Sequence, residues 1–483
     1  MPARRAVALA ALFLTLLSAA ACSSGSNAQG PAPTSSSSSG STSNPATPAP
    51  TGAAAPGGDP PWTTYQASNS RVGVGGSQPA LNTPSLVRAW SNSLDGTAVY
   101  GQPLYAGGKI LVATEGDHIY GLDPRSGHID WEVSAGTPLR GVRAQAGCGN
   151  VDPLGITSTP VFDAANGTVY AVAETSSGGS RPVRHMLYGV QVDSGRVVLD
   201  EGVDPPLLPG EDPVSLLQRA GLALGNGRVY IGFGGQYGDC GKYHGWLVAA
   251  PVNGAAPSAF DVTPESTGGA IWGGGAAPSI AATGDVYVST GNPNSGGPHP
   301  WAESVLELPP ALGSTPRAAF EDRSATGDLD LASGTPVLLP GGRVFAVGKS
   351  DTGYVLSTSG LGPIGTVRGV CGSDPDGGTA FDAALDTVYV PCRDGGLQEV
   401  KLASMTVGWR SGDVNSTPIL VNGMLWAAGY PSGTVEEIEP STGRVELRAS
   451  AGRRVPNFAS VSAAAGLILV PTDAGMVALK GSA

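Results

Sequence analysis

The sequence predicts an all-β fold, an eight-bladed β-propeller of four-stranded antiparallel blades, with seven blades as the alternative count. Three observations carry this. A short apolar strand recurs eight times, each copy sits in a unit with room for four strands, and 73 Gly and 41 Pro accompany 41% hydrophobic but only 14% charged residues. Many short strands joined by Gly/Pro turns account for that mix.

The N-terminus stands apart from the fold. Arg4 and Arg5 precede an apolar stretch from Ala6 to Ala21, broken only by Thr15 and Ser18, that runs through small residues into Cys22. A basic start, a short apolar core and small residues at the cut describe a secretory signal over residues 1–21. The cysteine directly after the small residues resembles a bacterial lipobox, which implies acylation of Cys22 and a protein held to the outer side of the membrane. At 16 residues the stretch is short for a membrane span of about 20. Residues 22–60 are Ser, Pro, Gly, Ala and Thr with almost no charge or bulk. Such a segment buries nothing and reads as a tether with a reach of about 35 Å.

Residues 61–483 hold the repeat. Its eight copies are centred on Ile110, Val169, Val229, Val286, Val344, Val388, Leu425 and Ile468, spaced 59, 60, 57, 58, 44, 37 and 43 residues apart. Periods of this size built from short strands are propeller blades or a related array. Before many copies comes a short strand opening with Pro, as in Thr159-Pro160-Val161 and Thr417-Pro418-Ile419. After them comes a third strand, an acidic or polar turn ending in Gly, and a fourth strand; Tyr120 to Gly127 followed by Trp131 is the clearest case. Glycine supplies the positive φ that such hairpins need. The chain ends on a third strand at Met476–Leu479, while Leu86–Trp90 is a strand without a blade. The N-terminal strand is therefore expected to complete the last blade and close the ring.

Composition excludes one function class. A net charge of −12 with no basic stripe leaves no footprint for nucleic acid. Beyond Cys22 the cysteines are Cys148, Cys240, Cys371 and Cys392, with no C-x-x-C. An even number in an exported chain favours two disulfides over metal ligands. In a propeller the innermost strand starts at the face to which the loop between strands two and three returns. Cys148 precedes an innermost strand and Cys240 follows a second strand one blade on; Cys371 and Cys392 hold the same two places in the sixth unit. The expected pairs are Cys148–Cys240 and Cys371–Cys392. Gly348-Lys349-Ser350 lacks the upstream Gly of a phosphate loop, since Arg343 stands there.

The unit from Tyr120 to Trp131 resembles the repeat of the pyrroloquinoline-quinone (PQQ) propellers, and Trp62-Thr63-Thr64-Tyr65 resembles the lead-in of exported members. A more specific likeness lies in Ile271-Trp272-Gly273-Gly274-Gly275 and Ser289-Thr290-Gly291-Asn292-Pro293. In quinoprotein alcohol dehydrogenases the corresponding Trp stacks under the quinone and the corresponding Asn ligates Ca²⁺. The resemblance thus implies cofactor contact for Trp272, calcium ligation for Asn292 with Asp239 as a second ligand, and Glu303 as general base. The chain also departs from that family, having a single cysteine at Cys148 where the dehydrogenases carry an adjacent pair. Each residue has a plain structural reading too: Trp272 as a packing aromatic, Asn292 as a turn residue, Glu303 and Asp239 as solvated carboxylates. Two functions follow. One is a cell-surface binding or scaffold module with an eroded cofactor site, facing a protein, cell-wall or small-molecule partner. The other is a PQQ- and Ca²⁺-dependent dehydrogenase acting on an alcohol or sugar.

Overall fold

A computed structural model describes residues 59–176, 183–294, 298–324 and 327–482. The expected signal peptide, the lipid-bearing Cys22 and the tether as far as residue 58 lie outside the described residues. Eight antiparallel sheets follow one another along the chain, each in simple up-and-down order. Blade 1 is Leu104–Ala106, Lys109–Ala113, His118–Leu122 and Ile129–Ser134, and the rest repeat this plan as far as blade 8. Blade 3 carries one addition, the two-residue strand Leu216–Leu217, which pairs with Gly234 and Gly235. Helix among the described residues amounts to Val142–Ala146 and five short 3₁₀ turns.

Ring closure follows the sequence expectation. The outermost strand of blade 8 is Leu86–Asn92, antiparallel to Gly475–Gly481 and bulged between Arg88 and Trp90. Eight is thus the blade count.

The second strand of each blade reads as an unbroken apolar run because both its faces are covered. Ile110 and Val112 pack with Leu467 and Leu469 of blade 8, whereas Leu111 and Ala113 pack with Val169 and Ala171 of blade 2. Alternate side chains of one strand thereby serve two inter-blade cores. The turn into the fourth strand also follows from sequence. Asp123 Oδ1 accepts from Arg125 N, Ser126 N and Ser126 Oγ, and Gly127 turns back at φ +69°. Trp131 then reaches the next blade, donating from Nε1 to Val192 O at 2.8 Å.

Residues 62–78, of which only 62–65 read from sequence as a lead-in, run around the inside of the ring. Thr63 O, Asn69 O, Ser70 O, Val72 O and Gly73 O accept from Phe162, Ile280, Leu338, Phe381 and Leu420, in blades 2, 4, 5, 6 and 7. Trp62 pairs with Tyr105 in blade 1, Asn69 Nδ2 donates to Leu224 O in blade 3, and Gln78 Oε1 accepts from Gly466 N in blade 8. One strap thus ties all eight blades in order. Two side chains lock it from within. Gln66 donates to Thr379 O and Pro418 O, while the fully buried Arg71 donates to Pro278 O, Tyr65 O and Thr64 Oγ1. Because the strap meets the bodies of the innermost strands, it fills that part of the bore. The loops leading into those strands stand at the other end.

Candidate functional site

Both expected disulfides form at that end, Cys148–Cys240 with Cα atoms 5.8 Å apart and Cys371–Cys392 at 5.3 Å. The first ties the loop leading into blade 2 to a loop of blade 3. It fixes the segment Gln236–Cys240, whose Tyr237 is 67% exposed and whose Asp239 sits in the left-handed region at φ 52°.

The structure gathers the residues singled out from sequence. Asn292 and Glu303 bracket the loop between strands two and three of blade 4, Trp272 leads into that blade, and Asp239 approaches from blade 3. Gly291 N donates to Ala270 O, which sets the Asn292 loop beside the Trp272 loop. Trp272 Nε1 donates to Gly235 O at 2.9 Å, and a Cβ on Gly234 would lie 2.2 Å from that nitrogen. Its indole is partly exposed and packs on the blade 3 core. Neither carboxylate is a solvated surface group. Glu303 is 8% exposed at φ 50°, and Asp239 accepts from Tyr243 Oη at 2.5 Å.

Sequence reasoning missed the acidic neighbour of Glu303. Asp330, in the loop leading into blade 5, is fully buried, and a Cβ on Gly291 would come within 3.1 Å of its Oδ1. Lys349 Nζ lies 2.8 Å from both Asp330 Oδ2 and Asp328 Oδ1, so the lysine of the failed phosphate loop serves two carboxylates instead. Burial pushes the Glu303 carboxyl up to about 8, with Asp330 and Asp322 adding to the rise against the pull of Leu331 N–H. Burial lifts Asp330 to about 6, less because Lys349 opposes it. Asp239 is raised by burial also, against its bond from Tyr243. A signal existed in sequence: the Pro-initiated innermost strands mark every residue just before them, Asp330 included, as facing this end.

Asn292 Oδ1, Glu303 Oε1 and Asp330 Oδ1 are buried and accept no hydrogen bond. Such hard oxygens suit a hard cation by type, and a partly exposed indole suits a planar ring. Among the described residues no three His, Cys, Asp or Glu side chains converge closely enough to hold a metal, so amide or carbonyl oxygens would have to complete a calcium site here.

A second group lies on the same face. Arg219, leading into blade 3, is 7% exposed, with its guanidinium carbon 5.0 Å from the Tyr100 ring centre and 4.7 Å from that of Phe458. Deeper between blades 2 and 3, Glu174 and Asp204 hold the two nitrogens of the buried His185 at 2.9 and 2.8 Å, with its ring 5.0 Å from that of Phe233. Although burial opposes its charge, Asp204 and Glu174 raise His185 to about 9. On the opposite face, Asp123, Arg125 and Lys480 border a cleft of about 590 Å³ that none of the site residues lines.

Comparison with known proteins fits this description. Residues 72–205 match the family model of the outer membrane protein assembly factor BamB. No curated protein matches this sequence. Among solved structures, quinohemoprotein alcohol dehydrogenase from Comamonas testosteroni superposes with a TM-score of 0.67 at 15% identity, covering 88% of this chain and 81% of that one. A europium-containing methanol dehydrogenase gives 0.66 at 15% identity over 86% and 90%. BamB from Moraxella catarrhalis gives 0.54 at 14% identity over 83% and 100%. The fold is that of the PQQ-like β-propellers, a fold shared by dehydrogenases and by BamB.

Proposed function

We propose that the chain is an exported, lipid-anchored propeller that binds a ligand or partner through the face bearing the two disulfides, with its cofactor site reduced to an outline. The observation that carries this is the position of Lys349. Its ammonium sits between Asp328 and Asp330 and supplies from within the protein the positive charge that the acidic pocket calls for. Cys148 is paired across blades with Cys240, which supports a stapled recognition loop. Export agrees with the two disulfides and with the signal-like residues before Cys22. The partner is a protein, a cell-wall polymer or a small molecule rather than nucleic acid, given the net charge of −12.

The orphaned oxygens of Asn292, Glu303 and Asp330 favour a second reading, a PQQ- and Ca²⁺-dependent dehydrogenase of an alcohol or sugar. Asn292 and Asp239 would hold the calcium and Trp272 would face the quinone, which supplies the two-electron acceptor. Glu303 would take the substrate proton, most effectively above about pH 8, where its carboxyl is ionised.

Titrating PQQ into the full chain, with and without Ca²⁺, separates the two by visible absorbance and tryptophan fluorescence. No binding well above micromolar PQQ supports the binding module. Saturable, Ca²⁺-dependent binding that Trp272→Ala abolishes overturns it in favour of the enzyme.

A further inference from the structure

A guanidinium stacked between two aromatic rings, nearly sealed from water and lacking an ionised partner, is an unusual group to keep at the mouth of a propeller. Arg219 is such a group. Its Nη2 donates to Asn457 O at 3.0 Å, its Nε has no acceptor, and among the described residues it forms no ion pair. Its neighbours are held in place. Phe458 adopts φ 61°, a left-handed backbone state that is strained for a non-glycine residue. The other cation near that ring, Arg393, lies 5.7 Å away.

Neither of the carboxylates nearest Arg219 forms an ion pair with it. Asp376 accepts from Arg393 Nη2 at 2.8 Å and from the Tyr430 hydroxyl. Glu115 Oε2 accepts from Gly155 N, and its other oxygen is buried without a partner. Burial raises Glu115 to about 8, which weakens the counter-charge it offers Arg219. Arg219 is nonetheless well seated. Gly221 N donates to Gly275 O, and the Gly275 Cα lies beside Phe458, so the stack adjoins the turn that follows Trp272.

A buried cation without a counter-ion carries a large desolvation cost that a bound anion offsets. The planar fork of a guanidinium presents parallel donors that the two oxygens of a carboxylate can accept together. We propose that Arg219 is a carboxylate-recognition residue, and that the ligand taken at this face presents a carboxylate to the Tyr100–Arg219–Phe458 stack. The proposal rests on the binding-module reading and gives that site its ligand class.

The test uses the full chain at pH 7 and constant ionic strength. Benzoate and succinate are the probes, with benzamide, succinamide and inorganic phosphate beside them, followed by calorimetry and thermal shift. The expected result is saturable binding of the carboxylates, with the uncharged amides weaker by about tenfold or more, the size of a lost charge-assisted pair. Arg219→Gln and Arg219→Lys should each lose that preference, while Arg125→Gln, on the opposite face, keeps it. The acid–amide comparison is made in the unaltered protein, so it stands even where an Arg219 variant fails to fold. Equal response to acid and amide, phosphate binding as tight as carboxylate, or full carboxylate binding by a folded Arg219→Gln each overturns the assignment while leaving the binding module in place. PQQ binding weakened by Arg219→Gln would do the reverse, overturning the module and sparing the residue.

Discussion

The indole of Trp90 lies against Gly127, where an added Cβ would come within 2.5 Å of the ring. Trp90 belongs to the closing strand and Gly127 to the hairpin turn of blade 1, and Trp90 Nε1 also donates to Pro124 O at 2.9 Å. The same seat recurs for Trp131 on Gly195 and Trp409 on Gly443. Each glycine serves two ends: it turns the chain at positive φ, and it leaves room for the neighbouring blade's tryptophan.

Gly127→Ala should therefore destabilise by more than backbone strain alone. Gly227 supplies the control, with φ +67° and nothing within 4 Å of an added Cβ. Gly227→Ala should cost about 1–2 kcal/mol, the left-handed penalty, and Gly127→Ala about 1–3 kcal/mol more from the displaced ring. Urea unfolding of both variants checks this. Equal losses would mean that the seat contributes nothing to closure.

The two disulfides should differ in their effect on stability. Cys148 and Cys240 are separated by 92 positions and Cys371 and Cys392 by 21. Loop-closure entropy makes the longer link worth about 1 kcal/mol more, within a typical range of about 2–4 kcal/mol. Cys148→Ser with Cys240→Ser should lower the urea midpoint further than the paired change at Cys371 and Cys392. The reverse order would show that burial of Cys371 and Cys392, both 1% exposed or less, outweighs loop length.

Local rules explain what sequence could and could not reveal. Strand two of each blade was legible because both its faces are buried, and Leu86–Asn92 because Trp90 and its neighbours read as a strand with no blade of its own. The disulfides followed from which face each strand end reaches. The strap over residues 62–78 was not legible, since it holds the ring by backbone hydrogen bonds and by Gln66 and Arg71, polar side chains whose burial no periodicity announces. Asp330 and Lys349 escaped for a related reason: 19 positions apart, they meet only because blade 5 folds one loop onto the other.

Stability should fall as pH rises from about 5 to 9. Burial raises both Asp117 and Glu115 to about 8, whereas unfolded carboxyls titrate near 4. The native state thus binds more protons across that interval and loses stability with increasing pH. His185 acts in the same direction higher up. Its contribution is complete below about 6.5, the unfolded value, and is lost as pH passes through about 9. Asp204, lowered by its bond from His185 although burial opposes this, acts only at the acid end. Asp117→Asn should flatten the slope of urea midpoint against pH between 5 and 8, and His185→Gln the part above 7. A midpoint that rises over this range would contradict both assignments.

Lys349 decides how the acidic pocket is kept neutral. Asp328 is 77% exposed, so its bond to Lys349 contributes little; the contact that matters is with Asp330, which is sealed from solvent. Lys349→Met leaves Asp330 and Glu303 buried beside each other without a cation. The loss should be about 3 kcal/mol at pH 8, the range for breaking a buried pair from one side. At pH 5 both carboxyls are protonated, given values of about 6 and about 8 in the intact site, and most of the loss should vanish. Equal destabilisation at pH 5 and pH 8, measured by urea unfolding, would assign Lys349 a packing role through its aliphatic stem instead. Calcium sharpens the comparison. If millimolar Ca²⁺ restores the variant at pH 8 but leaves the unaltered protein unmoved, the carboxylates accept an external cation only when the internal one is removed. That outcome is what a site whose cation function has passed to a lysine should give.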